Sequence, residues 1–259
     1  MAFVRPKTIG LFSYSTLKTK LYLEEKSLEI QFQKPHLNLE MLFELESLLN
    51  WCKIHVEVHS IVFTGAKDHF IHGFDVEEFK NADSDKANRS LCKFEQILTT
   101  MNELPQVLYM NLKSGATDQG LELALQGDVI YSRQDAVCRL GHLEKGLIPS
   151  KKTEKKVGIN LLKNLLFTEQ NNLTTTLEKN HFVKFFTDET AEIDQVQNFR
   201  KHILSLSNVA RYYFKKTIAS DNNENERQLL IESNDYKNDA TSFLNLHHYV
   251  YPELQEQKN

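Results

Sequence analysis

Residues 104–149, LPQVLYMNLKSGATDQGLELALQGDVIYSRQDAVCRLGHLEKGLIP, decide the fold. Within them QVLYMN reads as a strand, GLELALQG as a short apolar helix, DVIYS as a second strand and AVCRL as a third. The same alternation extends upstream. HSIVFTG (59–65) is a buried strand ending in a glycine turn. A helix is expected over 38–53, where Met41, Leu42, Leu45, Leu48, Leu49 and Cys52 share one face and Asn38 is placed to cap it. A second covers roughly 84–103, with Ala87, Leu91, Phe94, Ile97, Leu98 and Met101 at helical spacing and Pro105 as its stop. Near the N-terminus KLYLEE and SLEIQFQ alternate apolar and polar residues around a charged turn, a hairpin pattern. Helices and strands in alternation predict α/β layering.

From 192 to 248 the pattern becomes helical only. Ile193, Val196, Phe199, Ile203 and Leu206 form one stripe; Leu229, Leu230 and Tyr236 form another, across a polar loop at 220–227. The expected division is a core over 1–191 and a C-terminal helical segment over 192–259, serving as lid, packing element or oligomer interface. Glycine is scarce, with nine residues, seven of them between Gly65 and Gly146. Glycine permits tight turns and close approach of backbone to a ligand, so the site is sought in that third.

At 259 residues the chain is long enough for a substantial core, and 41% hydrophobic with 25% charged residues is globular composition. A net charge of −4 argues against nucleic acid as partner. Apolar runs are too short to span a bilayer, and no secretory signal is read before Lys18 and Lys20. Cys52, Cys92 and Cys138 are odd in number and far apart, giving no disulfide framework or zinc spacing, so a cytoplasmic, reducing setting is expected.

Several signposts in order carry a resemblance: QKPHLN (33–38), IVFTGAKDHFIHGFDVEEF (61–79), LPQVLYMN, GLELALQGDVIYS and DAVCRLGHLEKGLIP. Together they resemble the crotonase family of enoyl-CoA hydratases and isomerases. The resemblance implies a spiral of ββα units with a helical C-terminal segment, usually assembled as trimers or paired trimers. It implies an acyl-CoA or acyl-carrier thioester as ligand, with coenzyme A entering as part of the substrate, no resident cofactor, no metal, and a place in fatty-acid metabolism as a lyase or isomerase.

The family's chemistry holds a thioester carbonyl against two backbone N–H groups that stabilise an enolate-like oxyanion in a dry pocket. Carried over residue by residue, these are the N–H groups of His72 and Gln119, with Gly73, Asp75 and Gly120 lining the substrate site. The hydratases' two proton-handling glutamates map onto Glu122, in the opening turn of an apolar helix, and onto His142, an imidazole able to exchange protons near neutral pH. Glu144, two residues on, is a rival for the second role.

Departures from the pattern are specific. His72 stands where the family has alanine, Gln119 where it has glycine, and His142 where it has glutamate; the loop from Asn111 to Gly120 is about two residues longer. A glutamine at 119 is expected to strain the backbone if positive φ is needed there, or to narrow the pocket. After Pro149 the chain reads SKKTEKKVG, whose lysines either meet coenzyme A phosphates or form a solvated helix face. His55, His59, His69 and His72 lack a completing ligand pattern for metal, and no serine-hydrolase elbow or phosphate loop is present. Two readings follow. In one, the chain processes an acyl-CoA through an enolate, with Glu122 as principal acid/base and His142 as second. In the other, it keeps the scaffold as a non-catalytic binding or assembly subunit.

Overall fold

The structure is a computed structural model that describes residues 8–66, 69–75, 84–168 and 172–219. Nine strands fall into two sheets among the described residues. Strands β1 (Thr8–Ile9), β2 (Leu17–Tyr22), β3 (Ser27–Phe32), β4 (Ser60–Gly65), β5 (Val107–Asn111), β7 (Val129–Arg133) and β9 (Lys184–Phe186) form the main sheet in that spatial order; β6 (Gly115–Thr117) pairs with β8 (Val137–Arg139) in the second. The β1–β2 and β2–β3 pairings are antiparallel and all later ones parallel. The hairpin read from KLYLEE and SLEIQFQ is therefore present, its first strand beginning earlier, at Leu17, and its turn closed by Lys26 at φ 47°. Every residue of β4 is buried, as a central parallel strand covered on both faces requires.

Helix α1 (Leu39–Ile54) starts where expected: the Asn38 side chain accepts the Met41 N–H at 2.9 Å, and all six residues of the predicted stripe are buried. Helix α2 (Ser84–Glu103) packs against it. Each buried leucine in this layer contributes ~1.5–3 kcal/mol by leaving water. Short helices α3 (Gln119–Leu125), α4 (Lys151–Val157), α5 (Ile159–Phe167) and α6 (Thr174–Lys179) follow, with a 3-10 turn at Leu143–Lys145.

Helices α7 (Glu189–Ser205) and α8 (Asn208–Ala219) close the described chain. The predicted stripe on α7 is narrower than expected. Val196, Phe199 and Ile203 pack with Val62 and Tyr109 in a second apolar cluster, whereas Ile193 is 60% exposed and Leu206 lies beyond the helix end. Polar anchors do the rest. Arg200 reaches Glu29 at 2.5 Å with its guanidinium 3.8 Å from the Tyr22 ring centroid, and Lys215 meets Asp128 at 2.6 Å. Arg211, buried, donates to the carbonyls of His59 and Pro105. Leu229, Leu230, Tyr236 and the 220–227 loop lie outside the described residues. No described helix is long and apolar enough to cross a membrane.

Candidate active site

Two chain segments meet at the start of α3. Residues 70–75 are braced from both sides by backbone hydrogen bonds: His72 N–H to Pro35 C=O (2.7 Å) and Asp75 N–H to Leu37 C=O (2.9 Å) on one side, Phe70 N–H to Gly115 C=O (3.0 Å) and Thr117 N–H to Ile71 C=O (3.3 Å) on the other. The opening turn of α3 abuts this segment so closely that a Cβ at Gly120 would sit 2.2 Å from the Ile71 carbonyl oxygen. Gly120 thus lines the junction as expected, because no side chain fits there.

The bracing corrects one assignment. The His72 N–H is committed to Pro35 and is not presented to the site. Two residues on, the Phe74 N–H points at α3 and donates to the Gln119 side-chain oxygen at 3.3 Å. Of these two N–H groups it is that of Phe74, not that of His72, which faces α3. Gln119 is the first residue of α3, where a helical N–H has no intrahelical acceptor. Its φ is not in the left-handed region; the strained position is the preceding residue, Asp118, at φ 52°. The Asp118 carboxylate supports that conformation by accepting the Gly141 N–H at 2.7 Å and pairing with Lys145. Within the 111–120 loop, Gly115–Thr117 forms β6.

One helical turn into α3, Glu122 is buried, with three polar partners. One carboxylate oxygen lies 2.6 Å from His142 Nε2; the other accepts the Ser150 N–H at 2.7 Å and the Thr153 hydroxyl at 2.8 Å. His142, fully buried, precedes the 3-10 turn, and its Nδ1 has no partner among the described residues. With Glu122 ionised and His142 neutral, Nε2 carries the proton of this contact and Nδ1 keeps a lone pair. The two residues placed together by sequence are thus in direct contact. Their rival Glu144 is exposed and paired with Arg139 at 2.6 Å, away from the pair.

Around the entrance the imidazoles of His36 and His69 each stand 5.2 Å, ring to ring, from that of His72. Burial, assisted by these neighbours, holds His72 below the usual histidine range. The lysine run after Pro149 divides. Lys151 pairs with Glu154 at 2.5 Å, while Lys152, Lys155 and Lys156 line a cavity of about 650 Å³ with Lys215 and Asp128, at the opposite end of α3 from Gln119.

Sequence reasoning missed Phe74, Asp118, Ser150 and Thr153. A backbone donor leaves no side-chain signature, and which N–H of an extended segment faces the site depends on the strand it pairs with. Thr153 sits within the lysine run, where charge drew attention from the hydroxyl.

The comparisons with known proteins bear on the family and the fold. The enoyl-CoA hydratase/isomerase family model matches residues 24–236. Among curated proteins, a probable enoyl-CoA hydratase of Bacillus subtilis is 28% identical over 114 residues, 44% of each chain. An ethylmalonyl-CoA decarboxylase of Mus musculus is 30% identical over 113 residues, 43% of this chain and 33% of that one. These matches thus span less than half of each curated relative. The structure of an enoyl-CoA hydratase from Geobacillus kaustophilus superposes with a TM-score of 0.79 at 15% identity, covering 92% of this chain and 96% of that one. That from Bacillus anthracis gives 0.73 at 17% identity, covering 88% and 90%. The structures share the crotonase spiral, and with the family match running over most of its length, the chain belongs to the enoyl-CoA hydratase/isomerase family.

Proposed function

We propose that this protein binds an acyl-CoA thioester with its carbonyl oxygen on the N–H groups of Phe74 and Gln119, and moves one proton at the resulting enolate through the Glu122–His142 pair. The observation that carries this reading is the buried 2.6 Å contact between Glu122 and His142, within a helical turn of the Gln119 N–H. A pair so placed links a carboxylate acid/base to an imidazole with a free lone pair, and negative charge developing on a thioester oxygen is stabilised by preorganised donors.

The contact also speaks to reaction type. A water held between two catalytic groups needs hydrogen-bonding distance to each, roughly 5.5 Å in all. At 2.6 Å no water stands between these two. The pair therefore suits a reaction that adds no water, either isomerisation, in which one proton is taken from one carbon and returned to another, or protonation after decarboxylation, better than hydration. The relatives named ethylmalonyl-CoA decarboxylase in Mus musculus and Danio rerio place an alkylmalonyl thioester among the substrates to be tried.

The second reading, a non-catalytic binding or assembly subunit, is favoured by the Gln119 side chain, whose oxygen accepts the Phe74 N–H. Thermal melts with acyl-CoAs separate the two, since a ligand at 100 times its dissociation constant adds ~2.7 kcal/mol. Stabilisation followed by turnover of 2-enoyl-, 3-enoyl- or alkylmalonyl-CoA, abolished in Glu122→Gln, supports the enzyme. Flat melts across the series support the scaffold. Equal turnover by Glu122→Gln removes Glu122 from the chemistry.

A further inference from the structure

The Gln119 side chain is more than an obstacle. Its amide is nearly fully buried, and its oxygen accepts the Phe74 N–H at 3.3 Å. It lies over Gly73, where an added Cβ would come within 2.6 Å of that oxygen and 2.8 Å of the Asp118 Cβ. Any larger residue at 73 would evict it. The backbone beneath is pinned: Asp118 is held by Gly141 and Lys145, and Gly120 is pressed on the Ile71 carbonyl. Displacement of the amide therefore takes place by side-chain rotation, with the helix start unmoved.

We propose that the Gln119 amide is a built-in surrogate for the substrate carbonyl, holding the Phe74 donor in the free protein and yielding it only to a ligand that brings an acyl oxygen of its own. This rests on the acyl-thioester reading and adds a selectivity rule to it: Gln119 sets the discrimination between acyl-CoA and free coenzyme A. The amide oxygen and a thioester oxygen are both carbonyl acceptors for one N–H, so they compete for it. Free coenzyme A presents a thiol and brings no carbonyl to that donor, so it leaves the surrogate in place. A neutral hydrogen bond of this length is a weak latch, equivalent to about a five-fold change in an equilibrium constant. The apparent dissociation constant for an acyl-CoA is the intrinsic one divided by the fraction of molecules in which the donor is open.

The test uses the full chain and Gln119→Ala, with butyryl-CoA and free coenzyme A as probes. Calorimetric titration should show butyryl-CoA binding roughly five-fold tighter in the variant and coenzyme A binding unchanged. Independently of any ligand, amide hydrogen exchange at Phe74 should accelerate in Gln119→Ala, while exchange at Asp75, bonded to Leu37, stays the same. Unchanged exchange at Phe74 overturns the proposal, because the contact then protects nothing. Accelerated exchange with equal shifts for both ligands, or with weaker butyryl-CoA binding, overturns the competition while leaving the acyl-CoA reading intact. Binding of neither probe by either protein overturns both.

Discussion

Replacing Glu122 by alanine removes the acceptor for three buried donors at once: His142 Nε2 at 2.6 Å, the Ser150 N–H at 2.7 Å and the Thr153 hydroxyl at 2.8 Å. Breaking a buried pair by removing one partner costs about 3–5 kcal/mol, and each donor left unsatisfied about 1–3 kcal/mol. These contributions overlap, since a water entering the vacated space satisfies some of the donors. The expected loss is about 4 kcal/mol, or roughly 10 °C in Tm for a chain of this size. Glu122→Gln is a different perturbation. Its oxygen can still accept from Ser150 and Thr153, and its amide can donate to His142 Nε2 in the other tautomer. That variant should lose only about 1 kcal/mol while placing the lone pair of His142 on the wrong nitrogen for the proposed proton transfer. Urea unfolding followed by circular dichroism at pH 7 measures both. The reasoning fails if Glu122→Ala lies within 1 kcal/mol of the parent, or if the glutamine variant is the less stable of the two.

Other consequences can be measured separately. Burial, with Arg211 and Lys26 adding to it, holds His59 down at about 4. Between that value and the unfolded histidine's ~6.5 only the unfolded chain takes up the proton, so this residue's contribution to stability falls as pH drops from 7 to 4, by up to about 3 kcal/mol. His59→Gln should flatten that slope, and an unchanged slope would refute the assignment. Arg200→Ala removes both the Glu29 contact and the stacking on Tyr22 that fasten α7 to the hairpin; a loss of about 2–4 kcal/mol is expected, and less than 0.5 kcal/mol would mean the apolar cluster alone holds the helix. Of the three thiols only Cys92 is exposed, and burial pushes Cys52 up to about 12. Native protein should therefore release one equivalent rapidly with a disulfide reagent and three after unfolding; a second fast equivalent would place another thiol at the surface.

The parts of this fold legible in sequence are those whose signal is local. Six apolar residues at helical spacing behind a capping asparagine specify α1 without help from the rest of the chain. Strand β6 is the opposite case: three residues beginning at Gly115, extended only because Val137–Arg139 lies beside them. On α7 spacing alone suggested five inward residues, but the cluster accommodates Val196, Phe199 and Ile203, and Leu206 falls past the final turn. In the candidate site, counting along a motif paired Glu122 with His142, and the structure puts the two side chains in contact. The N–H that faces α3 was not legible because all N–H groups of IHGFD look alike in sequence; pairing with residues 35–37 turns His72 away and leaves Phe74 facing α3.

The two departures from the family's pattern act together once they are placed in space. A second carboxylate at 142 would repel Glu122 and leave a gap for solvent; an imidazole there draws the pair into contact and removes the gap. Glutamine at 119 supplies the Phe74 N–H with an acceptor from within the chain. Each substitution therefore sets a protein group against a partner inside the site, Gln119 on the Phe74 N–H and His142 on the Glu122 carboxylate. A pocket emptied of chemistry gains nothing from a buried carboxylate with three hydrogen-bond partners, since apolar residues of similar volume serve stability as well or better. On the proposed function the polar cluster serves a ligand that brings its own carbonyl and takes up no water, which is why acyl thioesters reacting without added water head the list of substrates to try.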